Sequence, residues 1–211
     1  ADWSVGQQFI ENVEYVLDGK KLDYLVVNHL EPDHAATIGE IVLRYPQVKV
    51  VSTEKAWLLM NQFQFAIDEE NFVEVKEGDT MSFGKHNIAF VAAPMVHWPE
   101  VIMTYDLTDK ILFSADAFGM FGTVGNIFAD QVEYEEEYLD EARRYYVNIV
   151  GKYGAQVMAV LKKASGLQID YICPIHGLVF RTPETIQYII EKHLHWAQYV
   201  PEKKGVVIAF A

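Results

Sequence analysis

The segment Asn28-His-Leu-Glu-Pro-Asp-His34 sets two imidazoles and two carboxylates within a few residues, in the order H-x-E-x-D-H. Imidazole nitrogens and carboxylate oxygens are good ligands for iron, manganese and zinc. Left unpaired, such groups resist burial, because a buried carboxylate must be ion-paired, metal-bound or protonated. Pro32 forbids a regular continuing strand and stiffens the turn, so the four side chains can converge on a pair of ions. The plainer reading is a solvated acidic loop. Three further segments weigh against it. His97 stands between prolines in Pro94-Met-Val-His-Trp-Pro99. Asp116 lies in Phe113-Ser-Ala-Asp-Ala-Phe-Gly119, just past an apolar run, where bridging two cations would account for a carboxylate. His176 lies in Cys173-Pro-Ile-His-Gly177, where glycine permits a sharp turn or a close backbone approach. Each segment alone reads as structural; in this order they predict a two-metal site.

Positioning these groups takes strand ends. A short run rich in Val and Leu, Leu22 to Asn28, predicts a buried strand ending at His29. Further strands are predicted at Val48 to Ser52, Phe72 to Val75, Thr80 to Phe83 and Ile88 to Ala93, the last ending before His97. Val101 to Asp106 and Ile111 to Ser114 predict a hairpin around Thr108-Asp109, with Asp116 just beyond it. Tyr171 to Pro174 predicts the strand before His176. Helical spacing is read at Trp3 to Leu17, Ile38 to Arg44, Glu54 to Phe65, a long stretch Glu135 to Lys163, and Pro183 to Tyr199 with Thr182 as N-cap. Early alternation followed by hairpins suits two mixed sheets packed face to face with helices outside, and loops at strand ends are where such folds place chemistry.

Composition bounds the rest. The chain has 211 residues, 51 % of them hydrophobic, enough for one domain with a sizeable core. A formal net charge of −13 argues against nucleic acid as a partner, since such binding neutralises phosphates. A single cysteine, Cys173, forms no internal disulfide and fits a reducing compartment; no apolar stretch is long enough to span a bilayer and no signal peptide is visible, so a cytoplasmic location is expected.

The ordered set His29, Glu31, Asp33, His34, His97, Asp116 and His176 resembles the metallo-β-lactamase superfamily, and more closely the di-iron domain of flavodiiron proteins. The neighbours Pro94-Met95, His97-Trp98-Pro99, Phe113-Ser114 and Asp116-Ala-Phe-Gly119 share in it, and it runs from about Leu22 to Arg181. The hydrolases of the superfamily usually carry histidine where this chain has Glu31, and bind zinc. A carboxylate there makes the site harder and more anionic, which favours iron or manganese. The resemblance implies an α+β metallo-β-lactamase-like αββα sandwich over residues 1–200. It also implies two iron ions bridged by Asp116. His29, Glu31 and His97 would hold one, Asp33 and His176 the other, with His34 at a position that ligates in some members and swings away in others. The implied activity is reduction of O2, NO or both.

Two departures from the family pattern bear on function. Many members follow Asp-Ala-Phe-Gly with Gln-His; this chain has Met120-Phe121, which removes a proton donor and would slow turnover of a bound ligand. Residues 201–211 resemble the first strand of the flavodoxin domain such proteins carry, without its phosphate loop, so FMN is not expected to be bound by this chain as given, and the opening strands of the scaffold are expected to be missing. Electrons would then come from a flavodoxin-like or rubredoxin-like donor. The alternatives are a stand-alone oxygen sensor acting on a signalling partner, and a zinc hydrolase, which Glu31 disfavours. Pairing into a homodimer is left open. Trp98, Phe118, Met120 and Phe121 are candidates to line the site, although core packing explains most such aromatics. His86 is expected in an exposed turn, His193 and His195 on different helix faces, Glu133 to Glu137 as a solvated helix start, and Cys173 as a small buried residue.

Overall fold

The structure, a computed structural model, describes residues 1–201, 203, 205 and 206. The segment expected to form a closing strand at 201–211 falls largely outside the described residues.

Helix α1 (Gly6–Leu17) leads to strand β1 (Tyr24–Val26), the single-turn helix α2 (Pro32–Ala35), α3 (Ile38–Arg44), β2 (Lys49–Ser52), α4 (Glu54–Gln62) and β3 (Phe72–Glu74). Strands β4 (Thr80–Phe83), β5 (His86–Ala92), β6 (Ile102–Asp106) and β7 (Ile111–Phe113) follow. Then come α5 (Tyr134–Glu137), α6 (Leu139–Ile149), α7 (Gly154–Ala164), β8 (Tyr171–Cys173) and α8 (Pro183–Ala197). Strands β1-β2-β3 form one sheet with parallel neighbours, and β4-β5-β6-β7-β8 a second, antiparallel until β8 joins β7 in parallel.

Alternation of side chains along each strand builds the layers. On β2, Val50 faces a core shared with Ile38 and Val42 of α3 and Ala56 and Met60 of α4. Its neighbour Val51 turns the other way and packs with Ile88, Phe90 and Ile102 of the second sheet. On β6, Met103 and Tyr105 point outward to Ala142 and Tyr146 of α6, Val157 and Val160 of α7, and Ile189 of α8. The order is therefore helices, sheet, sheet, helices, as the sequence implied. Thr182 caps α8 as expected, its side chain accepting from the Thr185 N–H, with Pro183 in the first turn.

Two expectations need correction. The helix read over 135–163 is broken at Tyr138 and again at the 3-10 turn Gly151–Tyr153. At the second break the chain passes so close to α8 that a Cβ on Gly154 would lie 2.4 Å from the Ala197 carbonyl oxygen. His86 is exposed as expected, but it opens β5 just after the turn, and its Nδ1 lies 2.7 Å from Asp106 Oδ2. Asp106 in turn accepts from the N–H of Thr108 at 2.8 Å and so shapes the hairpin turn.

Candidate metal centre

The site is built from four loops, each leaving the end of a strand or its first extension. After β1 the chain turns at Glu31, whose carbonyl accepts from the N–H groups of His34 and Ala35, both at 2.9 Å. Pro32 occupies the first helical position of α2, where its missing N–H costs nothing, and Asp33 and His34 ride on that one turn. After β5, the loop bearing His97 is closed by Met95 N–H to Trp98 O at 2.8 Å and Ala93 N–H to Val101 O at 3.0 Å. After β7, Ala115 and Phe118 both adopt left-handed backbone conformations on either side of Asp116, at φ 52° and 69°. That turn is held by Ser114 Oγ–H to Ala117 O at 2.8 Å and by Phe118 N–H to His193 Nε2 at 3.2 Å. After β8, Ile175 N–H donates to Ala115 O at 3.0 Å, tying the His176 loop to the Asp116 loop. Gly177 follows at φ 87°, and a Cβ there would fall 2.2 Å from Met120 Cγ.

These loops bring all seven side chains singled out in the sequence together, in two groups. His29, Glu31, His97 and Asp116 offer ligand atoms within 4.8 Å of one another, as do Asp33, His34 and His176. Asp116, only 1 % exposed, stands between the groups. Its Oδ2 lies 3.1 Å from His29 Nε2 and 3.0 Å from His97 Nε2. Its Oδ1 lies 3.1 Å from His34 Nε2 and 3.5 Å from His176 Nε2. Glu31 Oε2 completes the first group, 3.1 Å from His97 Nε2; Asp33 Oδ2 completes the second, 3.1 Å from His176 Nε2. His34 points into the centre.

The donor set suits metal ions. Asp33 Oδ1 is buried with no hydrogen bond among the described residues, and His29 Nε2, also buried, has Asp116 Oδ2 at ion-pair distance but out of hydrogen-bond geometry. Buried polar atoms without partners are costly, and a cation satisfies both. The titration of the cluster points the same way. Burial pulls the His29 pKa down, but the carboxylates of Asp116 and Glu100 outweigh it and carry it up to about 9. Burial pushes Asp116 up, but the imidazoles of His29, His34 and His97 hold it far below the usual carboxylate range. Without a metal, the proton held on His29 supplies positive charge beside Asp116; a divalent ion would displace it.

The surroundings include residues that none of the metal-binding motifs announces. Glu100, buried, accepts from His29 Nδ1–H at 2.7 Å. Tyr145, buried on α6, packs on Gly119 and has its ring 5.5 Å from that of His176. Burial, then the charge of Asp116, and then Glu31 and Asp33, raise its pKa far above the ordinary tyrosine value, so it is a neutral O–H donor. Helical periodicity alone could have placed Tyr145 on the inward face of its helix. Of the four candidate lining residues, Trp98 stands edge-on to His29 at 5.2 Å between ring centres. Phe118 packs on His193, Met120 is buried against Gly177, and Phe121 packs on Tyr145. His193 is buried and His195 half-buried, and neither joins the cluster; Cys173 is half-buried, with its thiol pKa raised by that burial. The exposed Glu135, Glu136 and Glu137 form the solvated start of α5. An apolar hollow lined by Leu25, Val26, Ile38, Ile41 and Phe113 reaches His34 and His176.

A family model described as ODP family beta lactamase matches residues 4–177. The chain is 36 % identical over 207 residues to an anaerobic nitric oxide reductase flavorubredoxin of Aliivibrio salmonicida (strain LFI1238), across 96 % of this chain and 40 % of that relative. Its fold matches the flavodiiron protein from Giardia intestinalis with a TM-score of 0.87 at 26 % identity, covering 94 % of this chain and 48 % of that one. It matches the rubredoxin oxygen:oxidoreductase from the anaerobe Desulfovibrio gigas with a TM-score of 0.85 at 28 % identity, covering 93 % and 49 %. The chain thus spans well under two thirds of each of these proteins. The flavodiiron resemblance read from the motifs is borne out, and with it the metallo-β-lactamase-like sandwich. On the strength of the match over residues 4–177, the chain belongs to the ODP family of beta-lactamase-like proteins.

Proposed function

We propose that this chain is a non-haem di-iron domain that binds and reduces O2, NO or both, with electrons from an external flavin or rubredoxin-like donor. The observation that carries the reading is Asp116 with one carboxylate oxygen turned to each group of ligands. Glu31 selects the metal: a carboxylate in place of an imidazole favours iron over zinc. The names of the relatives, a nitric oxide reductase and an oxygen oxidoreductase, are of the same kind.

Two irons held side by side would supply redox chemistry to a diatomic ligand. The chain's own part is to place and screen them. His29, Glu31 and His97 would hold one ion, Asp33, His34 and His176 the other, and Asp116 both. Glu31, Asp33 and His176 are the more exposed members, so approach is from their side. The apolar hollow beside His34 and His176 suits small apolar gases better than ions. Both reductions consume protons, and Tyr145, kept neutral by burial and the nearby carboxylates, holds one beside His176.

A second reading, an oxygen sensor that holds its ligand and acts on a partner protein, is favoured by one feature. The loop after Asp116 presents apolar Met120 and Phe121 rather than a titratable side chain. One experiment separates the readings. The chain is reconstituted with ferrous iron and given limiting NO or O2 with a chemical reductant. Repeated, complete gas consumption is expected. A single uptake with no further consumption favours the sensor, and hydrolysis of a β-lactam or phosphodiester by the zinc form, without gas consumption by the iron form, overturns both.

A further inference from the structure

Glu100 ends the loop that carries His97 and is not one of the seven candidate ligands, yet it has the most enclosed carboxylate around them. It is 1 % exposed, and both members of its pair with His29 have side chains with no exposed surface. Its Oε1 accepts from His29 Nδ1–H at 2.7 Å and from Leu30 N–H at 3.1 Å. Its own carbonyl accepts from Thr53 Oγ1–H at 3.1 Å, which anchors it to the start of α4. Its Oε2 is buried and makes no hydrogen bond among the described residues. A buried carboxylate with one oxygen spent on an imidazole and the other unspent is costly unless positive charge lies close by. A hydrogen bond at one ring nitrogen decides which nitrogen is left free. With Nδ1–H given to Glu100, the His29 nitrogen left to face Asp116 Oδ2, at 3.1 Å, is Nε2.

We propose that Glu100 is a positioning residue for the metal centre. It fixes the tautomer and ring orientation of His29 so that Nε2 is the ligand, and its charge makes that imidazole a stronger donor. The inference rests on the di-iron reading.

The test uses the full chain, anaerobic ferrous iron alone and a competing chelator. For Glu100→Ala the affinity is expected to fall about 10- to 100-fold, the usual cost of losing such a partner. Glu100→Gln keeps the volume and an acceptor oxygen but not the charge. It should recover most of the affinity while raising the midpoint potential, because a neutral amide stabilises the ferric state less. Glu100→Ala binding two irons as tightly as the unmodified chain, or Glu100→Gln with unchanged potential, would overturn the proposal. Should both variants fail to fold, NMR of the unmodified chain loaded with zinc decides: a slowly exchanging, strongly deshielded His29 Nδ1–H is expected, and a rapidly exchanging one refutes it. Failure of the unmodified chain to take up iron would sink the di-iron reading instead, and the zinc measurement would still settle the role of Glu100.

Discussion

At the scale of single residues, the centre is an anion held among imidazoles. Asp116 is kept ionised by His29, His34 and His97 despite its burial, and His29 by Asp116 and Glu100. Asp116→Asn keeps the shape and removes the charge; it should lower bound iron from two ions per chain to one or none, read by metal analysis. Because the metal-free His29 titrates at about 9, it carries a proton on each nitrogen at pH 7. A metal needs Nε2 bare, so metal uptake at pH 7 should release at least one proton from this ring, and that release should fade as the pH passes 9. An indicator dye in weak buffer measures it. For Tyr145→Phe, iron content should hold while gas consumption slows about 100-fold or more, the lower range for a positioned proton donor. An unchanged rate would remove Tyr145 from the reaction.

At the scale of elements, α8 supports the Asp116 turn through His193. Its Nδ1–H donates to Ile189 O at 3.1 Å, and its Nε2 accepts from Phe118 N–H at 3.2 Å. Burial lowers its pKa to about 4, so the ring is neutral in the folded chain. The unfolded chain, with an ordinary histidine pKa near 6.5, binds the proton earlier. This contribution to stability is therefore present above about pH 6.5 and is lost as the pH falls toward 4. It amounts to roughly 3 kcal/mol, the free energy of holding a proton off the ring across that pH interval. Denaturant titrations between those pH values should show the loss, and His193→Gln should flatten it. Gly177→Ala should cost about 1–3 kcal/mol, because its Cβ would overlap Met120 and the backbone is left-handed there. It should also disturb the His176 side of the centre.

At the scale of the whole molecule, legibility followed locality. His29, Glu31, Asp33 and His34 announce themselves within one short segment, and His97, Asp116 and His176 each follow an apolar strand, so the side chains that the fold gathers into one cluster were readable. Glu100 and His193 were not. Glu100 meets His29 across 71 residues, and His193 meets Phe118 across 75, contacts that only the folded sandwich creates. The break before α7 had a local sign in Gly151 and Gly154, but its cause, contact with the end of α8, is tertiary. The αββα order was readable from early alternation of strands and helices followed by hairpins; the split of Val50 and Val51 of β2 between two cores, which fixes the layers, appears only in the folded chain.

The central claim is a pair of irons sharing one carboxylate. Anaerobic reconstitution with ferrous iron, followed by metal analysis and Mössbauer spectroscopy of the oxidised protein, tests it most directly. Two irons per chain are expected, with a diamagnetic, exchange-coupled ground state that Asp116→Asn abolishes. One iron per chain, two magnetically independent irons, or a preference for zinc at equal supply would contradict it.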